Sequence, residues 1–381
     1  MIYIYKDKKF NIMRYPRTSN TSLRSWNASD EYLLNFIEDL PLGDKQILIY
    51  NDRFGFLANL LYDYHPFNVC SYKSQEKAII KNLENNRLSL DHLQLLDLFA
   101  YPGKKTDLAL IKVPKSMGLF RFYLQHLSKS IKKTGMVLCG FMTRHFTGQM
   151  LQIAAEYFDE VEQNLAWKKA RLLILKKPKN YLQRDLLENC EVNSDLVLKQ
   201  YPGVFSSGTM DAASRFLMDT VSVQVKDKVI LDLGCGNGVL AKLLHDDNSK
   251  AEMHLIDDFS LAVASAKLNI SGKKVFFHYD DNLKSFDNNF FNLVISNPPF
   301  HFEHENNIEV TLDLFKHVAR VLKDTGRFII VANRHLNYST HLEKYFNQID
   351  ILAENDKYVI YESKNIFEEE EILEDDTRFN V

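Results

Sequence analysis

Short apolar runs alternate with amphipathic segments along the second half of the chain. Val229–Leu233 (VILDL) is an apolar run that stops at glycines, which predicts a buried parallel strand and a tight turn into a helix. Further strands are predicted to end at Asp257, at Ser296 and near Glu362, and helical segments separate them, one of them near Tyr338–Phe346. Strands that alternate with helices are typical of an α/β sheet that is largely parallel and covered by helices on both faces.

The first half of the chain repeats this pattern. Asp107–Lys115 (DLALIKVPK) aligns with Asn292–Phe300 (NLVISNPPF), and Ser128–His145 aligns with Ala319–His335, an offset of about 180 to 190 residues. The second pair of segments shares a Thr-Gly step and, further on, an Arg-His step. We therefore predict a duplicated fold, against the alternative that two α/β domains resemble each other only in their general pattern.

Length and charge limit the classes of function. The 381 residues are 45% apolar and 25% charged, which suits two globular domains with sizeable cores. The net charge of −3 does not indicate a nucleic-acid binder, so contacts with RNA would need a local basic patch. Between the predicted domains, Lys168–Arg184 holds seven basic residues and no acid. We predict phosphate contacts there, with a solvated basic face as the alternative, and the candidates are Lys168, Lys169, Arg171, Lys176 and Lys177.

The cysteines and the termini favour a cytoplasmic location. Four cysteines lie far apart without a CxxC pair, which indicates neither a metal site nor a disulfide framework. No signal-peptide pattern opens the chain, and no apolar run approaches the ~18 residues of a membrane helix. Acidic residues dominate from Phe367 to Asp376, where we expect a solvated and mobile tail.

Asp232–Gly238 (DLGCGNG) is the strongest local motif. It follows a predicted strand and precedes a helix, and its glycines let the backbone turn sharply and approach a ligand closely. The spacing D-x-G-x-G-x-G is the form found in S-adenosylmethionine enzymes, which puts Gly234, Gly236 and Gly238 at the cofactor and Asp232 at its ammonium group. The alternative is a strand–helix turn with no ligand.

Two acids follow the ends of later strands. Asp257 lies at the end of the next strand, where a carboxylate can accept hydrogen bonds from ribose hydroxyls. Asp281 follows the third strand and could accept from the adenine amino group, with a turn aspartate as the alternative. Asp258 is interpreted as a helix-capping acid.

Asn297-Pro298-Pro299-Phe300 is the segment that sets the predicted reaction. An exocyclic aromatic amine is a poor nucleophile because its lone pair is delocalised. Two acceptors, the Asn297 side-chain oxygen and the Pro298 carbonyl, would hold it in line with the methyl group. Pro299 would stiffen the loop and Phe300 would offer a face for base stacking, against the alternative of an ordinary Pro-Pro turn. Cys235, within the glycine turn, is interpreted as a space-filling residue rather than a nucleophile.

Longer stretches of both halves resemble one family. The second half carries PGVFSSGTMD, DLGCGNG, SNPPFH and VANRH, and the first half carries WNASDEYLL, NDRFG, IKVPK and LAWKKARL. Up to about Ser363 the chain resembles the RsmC/RlmG group of class I methyltransferases, which make N2-methylguanine in bacterial ribosomal RNA. The stretches of the first half and VANRHLNY favour the RlmG type, which modifies 23S rRNA, over the RsmC type, which modifies small-subunit rRNA.

The resemblance implies two tandem Rossmann-like class I methyltransferase domains, each an α/β fold with a mostly parallel sheet and helices on both faces. Residues 1–184 would form an inactive, RNA-binding domain, 185–366 the catalytic domain and 367–381 the acidic tail. The cofactor would be S-adenosylmethionine, and the substrate would be guanine N2 in protein-free 23S rRNA. The resemblance also assigns Phe205, Ser206 and Asp211 to the cofactor, while Ala213 stands where the family has glycine.

Three alternatives remain open. An RsmC-type enzyme would modify a guanine of 16S rRNA instead. Methyltransferases of protein glutamine or DNA adenine also use NPP-aromatic loops, but they usually have Tyr or Trp at the position of Phe300 and lack the first copy. A non-catalytic RNA-binding assembly factor would be expected to lose the glycine turn and the NPPF segment first. No membrane contact and no obligatory protein partner are predicted.

Overall fold

The computed structural model describes residues 1–18, 20, 22–100, 103–180, 184–206, 208–298 and 308–365, with the backbone alone described for 308–312. Within these residues the chain forms two seven-stranded sheets, one from each half, together with a two-stranded and a three-stranded sheet. Each large sheet consists of five parallel strands and an antiparallel hairpin at one edge. This confirms the predicted α/β fold with mostly parallel sheets.

The first half begins with a small hairpin, β1 (Ile2–Tyr5) and β2 (Lys8–Asn11). Its helices are α1 (Ala28–Glu38), α2 (Phe56–Leu60), α3 (Lys73–Asn85), α4 (Met117–Ser128) and α5 (Gly148–Tyr157). The strands of its sheet are β3 (Ile47–Tyr50), β4 (Phe67–Cys70), β5 (Gln94–Asp97), β6 (Thr106–Lys112), β7 (Ile131–Met142), β8 (Phe158–Gln163) and β9 (Ala170–Pro178).

The second half begins with the three-stranded sheet, β10 (Glu188–Glu191), β11 (Val197–Gln200) and β12 (Gly208–Thr209). Its helices are α6 (Ala212–Thr220), α7 (Val239–Asp247), α8 (Ser260–Asn269), α9 (Ile308–Val321) and α10 (Ser339–Leu342). The strands of its large sheet are β13 (Val229–Leu233), β14 (Glu252–Asp257), β15 (Val275–Tyr279), β16 (Phe291–Ser296), β17 (Leu322–Asn333), β18 (Gln348–Glu354) and β19 (Tyr358–Lys364).

The two large sheets have the same topology. Their strand orders are β5-β4-β3-β6-β7-β9-β8 and β15-β14-β13-β16-β17-β19-β18. Even an irregularity of register is repeated, since it falls between Thr106 and Leu108 in one copy and between Phe291 and Leu293 in the other. The shared order and the shared irregularity confirm the predicted duplication, and the strand pairings define equivalent positions in the two copies.

Apolar side chains cover both faces of each large sheet. In the first half, Phe120 and Tyr123 lie in the cluster on one face, and Leu33 and Phe56 lie in the cluster on the other. All four residues of β3 are buried, as a central parallel strand requires. This two-sided burial explains why the central strands are visible in the sequence as continuous apolar runs.

The two halves meet through an aromatic pair and a shared core. Tyr72 follows β4 and Phe259 follows β14, and their stacked rings have centroids 4.8 Å apart. Phe259, Leu261 and Ala262 belong to the same buried apolar cluster as Tyr123 of the first half. The carboxyl ends of β4 and β14, one from each large sheet, therefore meet at this interface.

Backbone hydrogen bonds around the aromatic pair are reciprocal. The Lys73 amide donates to the Asp258 carbonyl, and the Ser260 amide donates to the Ser71 carbonyl, both at 2.9 Å. By strand register, Lys73 is equivalent to Ser260, and Ser71 is equivalent to Asp258. The contact is therefore self-complementary, as in an isologous dimer, although both partners belong to one chain.

The basic segment Lys168–Arg184 does not connect the two halves, so its interpretation as an interdomain segment is wrong for most of its length. Ala170–Pro178 within it forms β9, which lies between β7 and β8 in the first sheet. Its apolar residues are buried because an interior strand is covered on both faces. The helix predicted near Tyr338–Phe346 spans only Ser339–Leu342, and β18 is a strand that the apolar pattern did not predict. None of the helices in the described part of the chain is long and apolar enough to cross a membrane.

Candidate active site

The glycine turn joins β13 to α7. Gly234, Gly236 and Gly238 have φ angles of 74°, 54° and 81°, in the left-handed region where a β-carbon would be strained. Gly238 is also the N-cap of α7. A β-carbon built at Gly234 or Gly236 would meet nothing within 4 Å, so open space lies in front of the turn. This cradle can admit a ligand against the backbone.

Asp232, in β13, is fully buried below this turn. Its Oδ2 accepts from the Ala241 amide at 3.1 Å, while its Oδ1 has no hydrogen-bond partner in the described part of the chain. Burial raises the pKa of this carboxyl to about 7. A buried carboxyl with an unused oxygen fits the ammonium group of S-adenosylmethionine, directly or through a water molecule, and that positive charge would lower the pKa again.

Asp257 ends β14 beside the turn. Its Oδ2 accepts from the Gly236 amide at 2.9 Å, and its Oδ1 accepts from the Phe259 amide at 2.8 Å. Burial raises the pKa of Asp257 to about 6, although the two amide hydrogen bonds oppose that effect. Each carboxylate oxygen keeps a second lone pair, so the group can still accept hydrogen bonds from two ribose hydroxyls.

Asp281 lies at the carboxyl edge of the same sheet, two residues after β15. Its side chain is 9% exposed, and it contacts Lys77 of α3 in the first half. The Lys77 Nζ lies 2.5 Å from the Oδ1 atoms of both Asp280 and Asp281. Sequence reasoning missed this cation because it lies 204 residues away from Asp281 and belongs to no local motif.

Asn297 directly follows β16, the strand that pairs with β13. The Ser296 hydroxyl donates to the Leu233 carbonyl at 2.7 Å, which ties this loop to the glycine turn. The Asn297 Nδ2 donates to the Ser214 hydroxyl at 2.8 Å and to the two carboxylate oxygens of Asp211 at 3.2 and 3.3 Å. With its nitrogen held in this way, the amide presents its oxygen as an acceptor for a substrate amine.

The rest of the NPPF segment is only partly described. Pro298 is buried directly after Asn297. Pro299 and Phe300 lie outside the described residues, so the stiffening and stacking roles assigned to them stay predictions. The Pro298 carbonyl as a second acceptor also stays a prediction.

Phe205, Ser206 and Asp211 belong to the segment that leads into α6. Asp211 is the N-cap of α6, and its Oδ1 accepts from the amides of Ala213 at 2.9 Å and Ser214 at 3.1 Å. The Ser206 hydroxyl donates to the Asp211 Oδ2 at 3.2 Å, while Phe205 is 64% exposed. These contacts connect Ser206 and Asp211 with Asn297, and the cofactor contacts implied by the resemblance stay predictions.

Two residues that sequence reasoning missed support the site. Ser214 contacts Asn297, and its one signal in the sequence is its place three residues after a helix-capping aspartate. Gln200, at the end of β11, is fully buried and accepts from the Asn237 side-chain nitrogen at 2.8 Å. No sequence signal marked Gln200, because it becomes part of the site only when the three-stranded sheet packs against the glycine turn.

Cys235 lies within the glycine turn and is 4% exposed. Burial raises the pKa of its thiol well above the ordinary value. A thiolate nucleophile is therefore disfavoured, which agrees with the interpretation of Cys235 as a space-filling residue.

The equivalent turn of the first half keeps the left-handed backbone at its two ends but has a long side chain in place of the middle glycine. By strand register, the three glycines correspond to Asn51, Arg53 and Gly55. Asn51 and Gly55 keep left-handed φ angles of 58° and 74°, and Gly55 is again the N-cap of a helix. Arg53 places a long side chain at the position of an open glycine and donates to the Ser74 hydroxyl at 2.8 Å.

The polar groups of the site are also replaced in the first half. Asp232 and Asp257 correspond to Ile49 and Cys70, and Asn297 corresponds to Lys112. The Lys112 Nζ donates to the Asp30 Oδ2 at 2.8 Å, and Asp30 is 1% exposed. A partly buried ion pair therefore stands where the second half has Asn297.

The five basic candidates for RNA contact are distributed along β9. Lys168 and Lys169 form the turn before β9, with positive φ angles of 46° and 62°, at the carboxyl edge of the parallel strands. Lys176 and Lys177 lie about 25 Å away at the other end of the strand, at ~3.3 Å per residue. Arg171 lies at the Lys169 end of β9, and its Nε is buried without a partner among the described atoms. The two lysine pairs therefore cannot form one patch.

Two family models match the chain. The RLMG N-terminal domain matches residues 2–180, and the methyltransferase small domain matches residues 195–362. Ribosomal RNA large subunit methyltransferase G of Yersinia enterocolitica is 31% identical over 363 residues, which cover 93% of this chain and 91% of that protein. The protein of the same name from Yersinia pestis is 31% identical over 357 residues, which cover 91% of this chain and 90% of that protein.

Among solved structures, the fold matches one methyltransferase along nearly all of its length. The T. thermophilus 16S rRNA N2 G1207 methyltransferase (RsmC), solved with AdoMet and guanosine, matches with a TM-score of 0.75. The match covers 96% of this chain and 97% of that one, at 18% identity. At this level of identity the likeness shows a shared fold.

Proposed function

This chain belongs to the ribosomal RNA large subunit methyltransferase G family, and on that premise we propose that it methylates N2 of a guanine in 23S rRNA with S-adenosylmethionine as donor. The observation that carries the proposal is the held amide of Asn297 beside an open glycine cradle. Asp232, Asp257 and Asp281 would hold the cofactor's ammonium, ribose and adenine groups. Because the proposed substrate is ribosomal RNA, we propose that the protein acts in the cytoplasm.

The chemistry requires positioning more than a strong base. The bound cofactor supplies an electrophilic methyl group on a sulfonium sulfur. The Asn297 oxygen and the Pro298 carbonyl would accept the two hydrogens of the guanine amine, which moves the nitrogen towards tetrahedral geometry and makes its lone pair available. Methyl transfer would leave an extra proton on the amine nitrogen, and that proton can pass to water, so the site needs acceptors for the amine hydrogens and no strong base.

We propose that RNA meets the turn between β8 and β9 in the inactive half. Trp167 lies in this turn, and the Lys168 Nζ lies 4.3 Å from the centroid of its ring. Leu165 beside it is 85% exposed, and Lys168 and Lys169 provide charge at the same place. Trp167 itself is half-buried, and the Lys168 ammonium also donates to Glu31 at 3.1 Å. A half-buried aromatic ring bordered by exposed apolar and basic side chains suits a stacked base with adjacent phosphates.

Paired substitutions test this surface. Changing Lys168 and Lys169 to glutamine should weaken binding to 23S rRNA and reduce the salt dependence of log K by up to ~2, about 0.9 per phosphate contact. The same change at Lys176 and Lys177, at the far end of β9, serves as the matched control. Filter binding over a range of salt concentrations measures both. Equal effects of the two pairs would argue against the turn as the RNA surface.

The direct test of function is transfer of labelled methyl from S-adenosylmethionine to protein-free 23S rRNA, with 16S rRNA in parallel. N2-methylguanosine in 23S rRNA alone is the expected product. Asn297→Ala should keep cofactor binding, because it leaves the glycine turn intact, and should lose most turnover. Labelling of 16S rRNA would favour the RsmC-type alternative, and labelling of neither RNA would favour a non-catalytic assembly factor.

A further inference from the structure

Helix α3 of the inactive half begins against the cofactor edge of the other half. Tyr72, its N-cap, makes no side-chain capping bond. Asp258 of the second half accepts instead from the Ser74 amide at 2.7 Å and from the Ser74 hydroxyl at 2.5 Å. A carboxylate at a helix N-terminus is stabilised by the helix dipole. The residue that caps α3 is therefore the direct neighbour of Asp257, the proposed ribose acid.

Lys77 lies on the same face of α3 as Ser74, because residues three apart are neighbours on a helix surface. Its ammonium group contacts the carboxylates of both Asp280 and Asp281. Burial lowers the pKa of Lys77, but the two carboxylates outweigh that effect and the pKa is raised. Burial alone would raise the pKa of Asp280, but its contact with Lys77 outweighs burial, and the pKa of Asp280 is lowered. The ammonium group of Lys77 thus bridges two adjacent carboxylates that would otherwise repel each other.

Two more residues of the inactive half border this acidic edge. Burial raises the pKa of the Tyr15 hydroxyl to about 12, and the charge of the adjacent Asp281 adds to the shift. The Arg53 guanidinium lies 3.9 Å from the Asp258 carboxylate. The first half therefore surrounds the acids at the carboxyl ends of β14 and β15 with polar and cationic groups.

We propose that Lys77 is a positioning residue for the cofactor. Its ammonium group holds the Asp281 carboxylate in place, so that the second carboxylate oxygen of Asp281 accepts a hydrogen bond from the 6-amino group of adenine. This inference rests on the proposed function, since it assigns Lys77 to the same cofactor site. The inactive half then contributes to recognition of the cofactor as well as of the RNA.

Binding of two cofactor-product analogues to the full chain tests this role. S-Adenosylhomocysteine carries the 6-amino group, whereas S-inosylhomocysteine carries a carbonyl oxygen there and cannot donate to Asp281. Lys77→Met should weaken calorimetric binding of the adenosyl compound about tenfold, the loss of one hydrogen bond to a charged group. Binding of the inosyl compound should change less than about twofold, so the preference for the adenosyl compound falls about tenfold.

Four further single variants and one double variant complete the experiment. Lys81→Met is the matched control, because Lys81 lies one turn further along α3 and pairs with Glu84 of the same helix. Lys77→Arg should retain the preference because it keeps the charge. Lys77→Gln replaces Lys77→Met if the latter does not fold. Asp281→Ala should abolish the preference, and adding Lys77→Met to it should cause no further loss.

Two outcomes would overturn the inference. Equal weakening of both compounds by Lys77→Met would show that Lys77 only holds the two halves together. Unchanged binding of both compounds would show that Lys77 has no role at the cofactor site. Failure of the unaltered chain to bind the adenosyl compound would instead refute the proposed function, so the two failures are distinguishable.

Discussion

Replacing Asp211 with serine separates two roles that this carboxylate can have. Its Oδ1 accepts from the amides of Ala213 and Ser214 at the start of α6, and both of its oxygens accept from the Asn297 Nδ2. Serine is a good helix N-cap, so the start of α6 should be retained. The carboxylate that orients Asn297 is lost, and we expect turnover to fall while cofactor binding stays unchanged.

The size of the effect follows from the contacts of Asn297. Its Nδ2 keeps one acceptor in the variant, the Ser214 hydroxyl at 2.8 Å, so part of its orientation survives. The lost hydrogen bond to a charged acceptor is worth roughly 1.5–3 kcal/mol. Because it orients an amide that acts in the transition state, kcat should fall roughly 10- to 150-fold. The free energy of unfolding should change by less than about 0.5 kcal/mol, because the cap is kept.

Three measurements on the Asp211→Ser variant are needed. Single-turnover methyl transfer to 23S rRNA gives the chemical step, calorimetric titration gives the Kd of S-adenosylmethionine, and urea denaturation gives the free energy of unfolding. Asn27→Ser is the matched control, because Asn27 caps α1, the equivalent helix of the first half. This control should leave the rate of methyl transfer unchanged.

One result would contradict the role of Asp211 in orienting Asn297. If the Kd of S-adenosylmethionine rises in the Asp211→Ser variant and the single-turnover rate at saturating cofactor is unchanged, Asp211 binds the cofactor and does not orient Asn297. That result would support the cofactor role that the family resemblance implies for Asp211.

Three other changes have definite expected results. Lys112→Met leaves the buried Asp30 carboxylate without its cation and should lower the free energy of unfolding by about 3 kcal/mol. Adding Asp30→Asn should restore most of that loss in urea denaturation, because the side chain becomes neutral and can still accept from the Asn27 amide; equal losses would contradict this. The pKa of Asp232 is about 7 in the folded chain, above its ordinary value of 3.8. Between these two pH values the folded, cofactor-free chain binds more protons than the unfolded chain, so its stability falls as pH rises from about 4 to 7. Asp232→Asn should flatten that slope, and an unchanged slope would refute the assignment. Gly236→Arg puts into the open turn the residue that the first half has at the equivalent position, Arg53, so calorimetry should detect no S-adenosylmethionine binding. The strained backbone at this position should cost only about 1–2 kcal/mol of stability. Retained binding would show that the turn does not face the cofactor.

Several features of this protein could be predicted from the sequence because their causes are local. A parallel strand covered on both faces must be apolar throughout, which makes runs such as Val229–Leu233 visible without a structure. Left-handed backbone favours glycine, so the turn at Gly234–Gly238 is marked by its spacing. The duplication also has a local mark in the sequence. Both copies keep the Thr-Gly step that lies just before the longer paired stretch of β7 and of β17.

The partners of the site residues could not be predicted, because folding brings together side chains that are far apart in the chain. Asp211 and Asn297 are 86 residues apart, and Lys77 and Asp281 are 204 residues apart. The sequence identified Asn297 and Asp281 by their positions after strands. Only the packing of α6 and α3 decided what holds each of them in place.

The basic segment and the first half show the same division. Charge is counted along the chain, whereas a binding patch forms in space, and β9 carries Lys168 and Lys177 to opposite edges of one sheet. The sequence alone determined that the first half lacks the cofactor glycines and acids. The tertiary structure alone decided that this half caps its helix α3 with Asp258 and places Lys77 beside Asp281, because two copies of one fold meet there through equivalent residues around Tyr72 and Phe259.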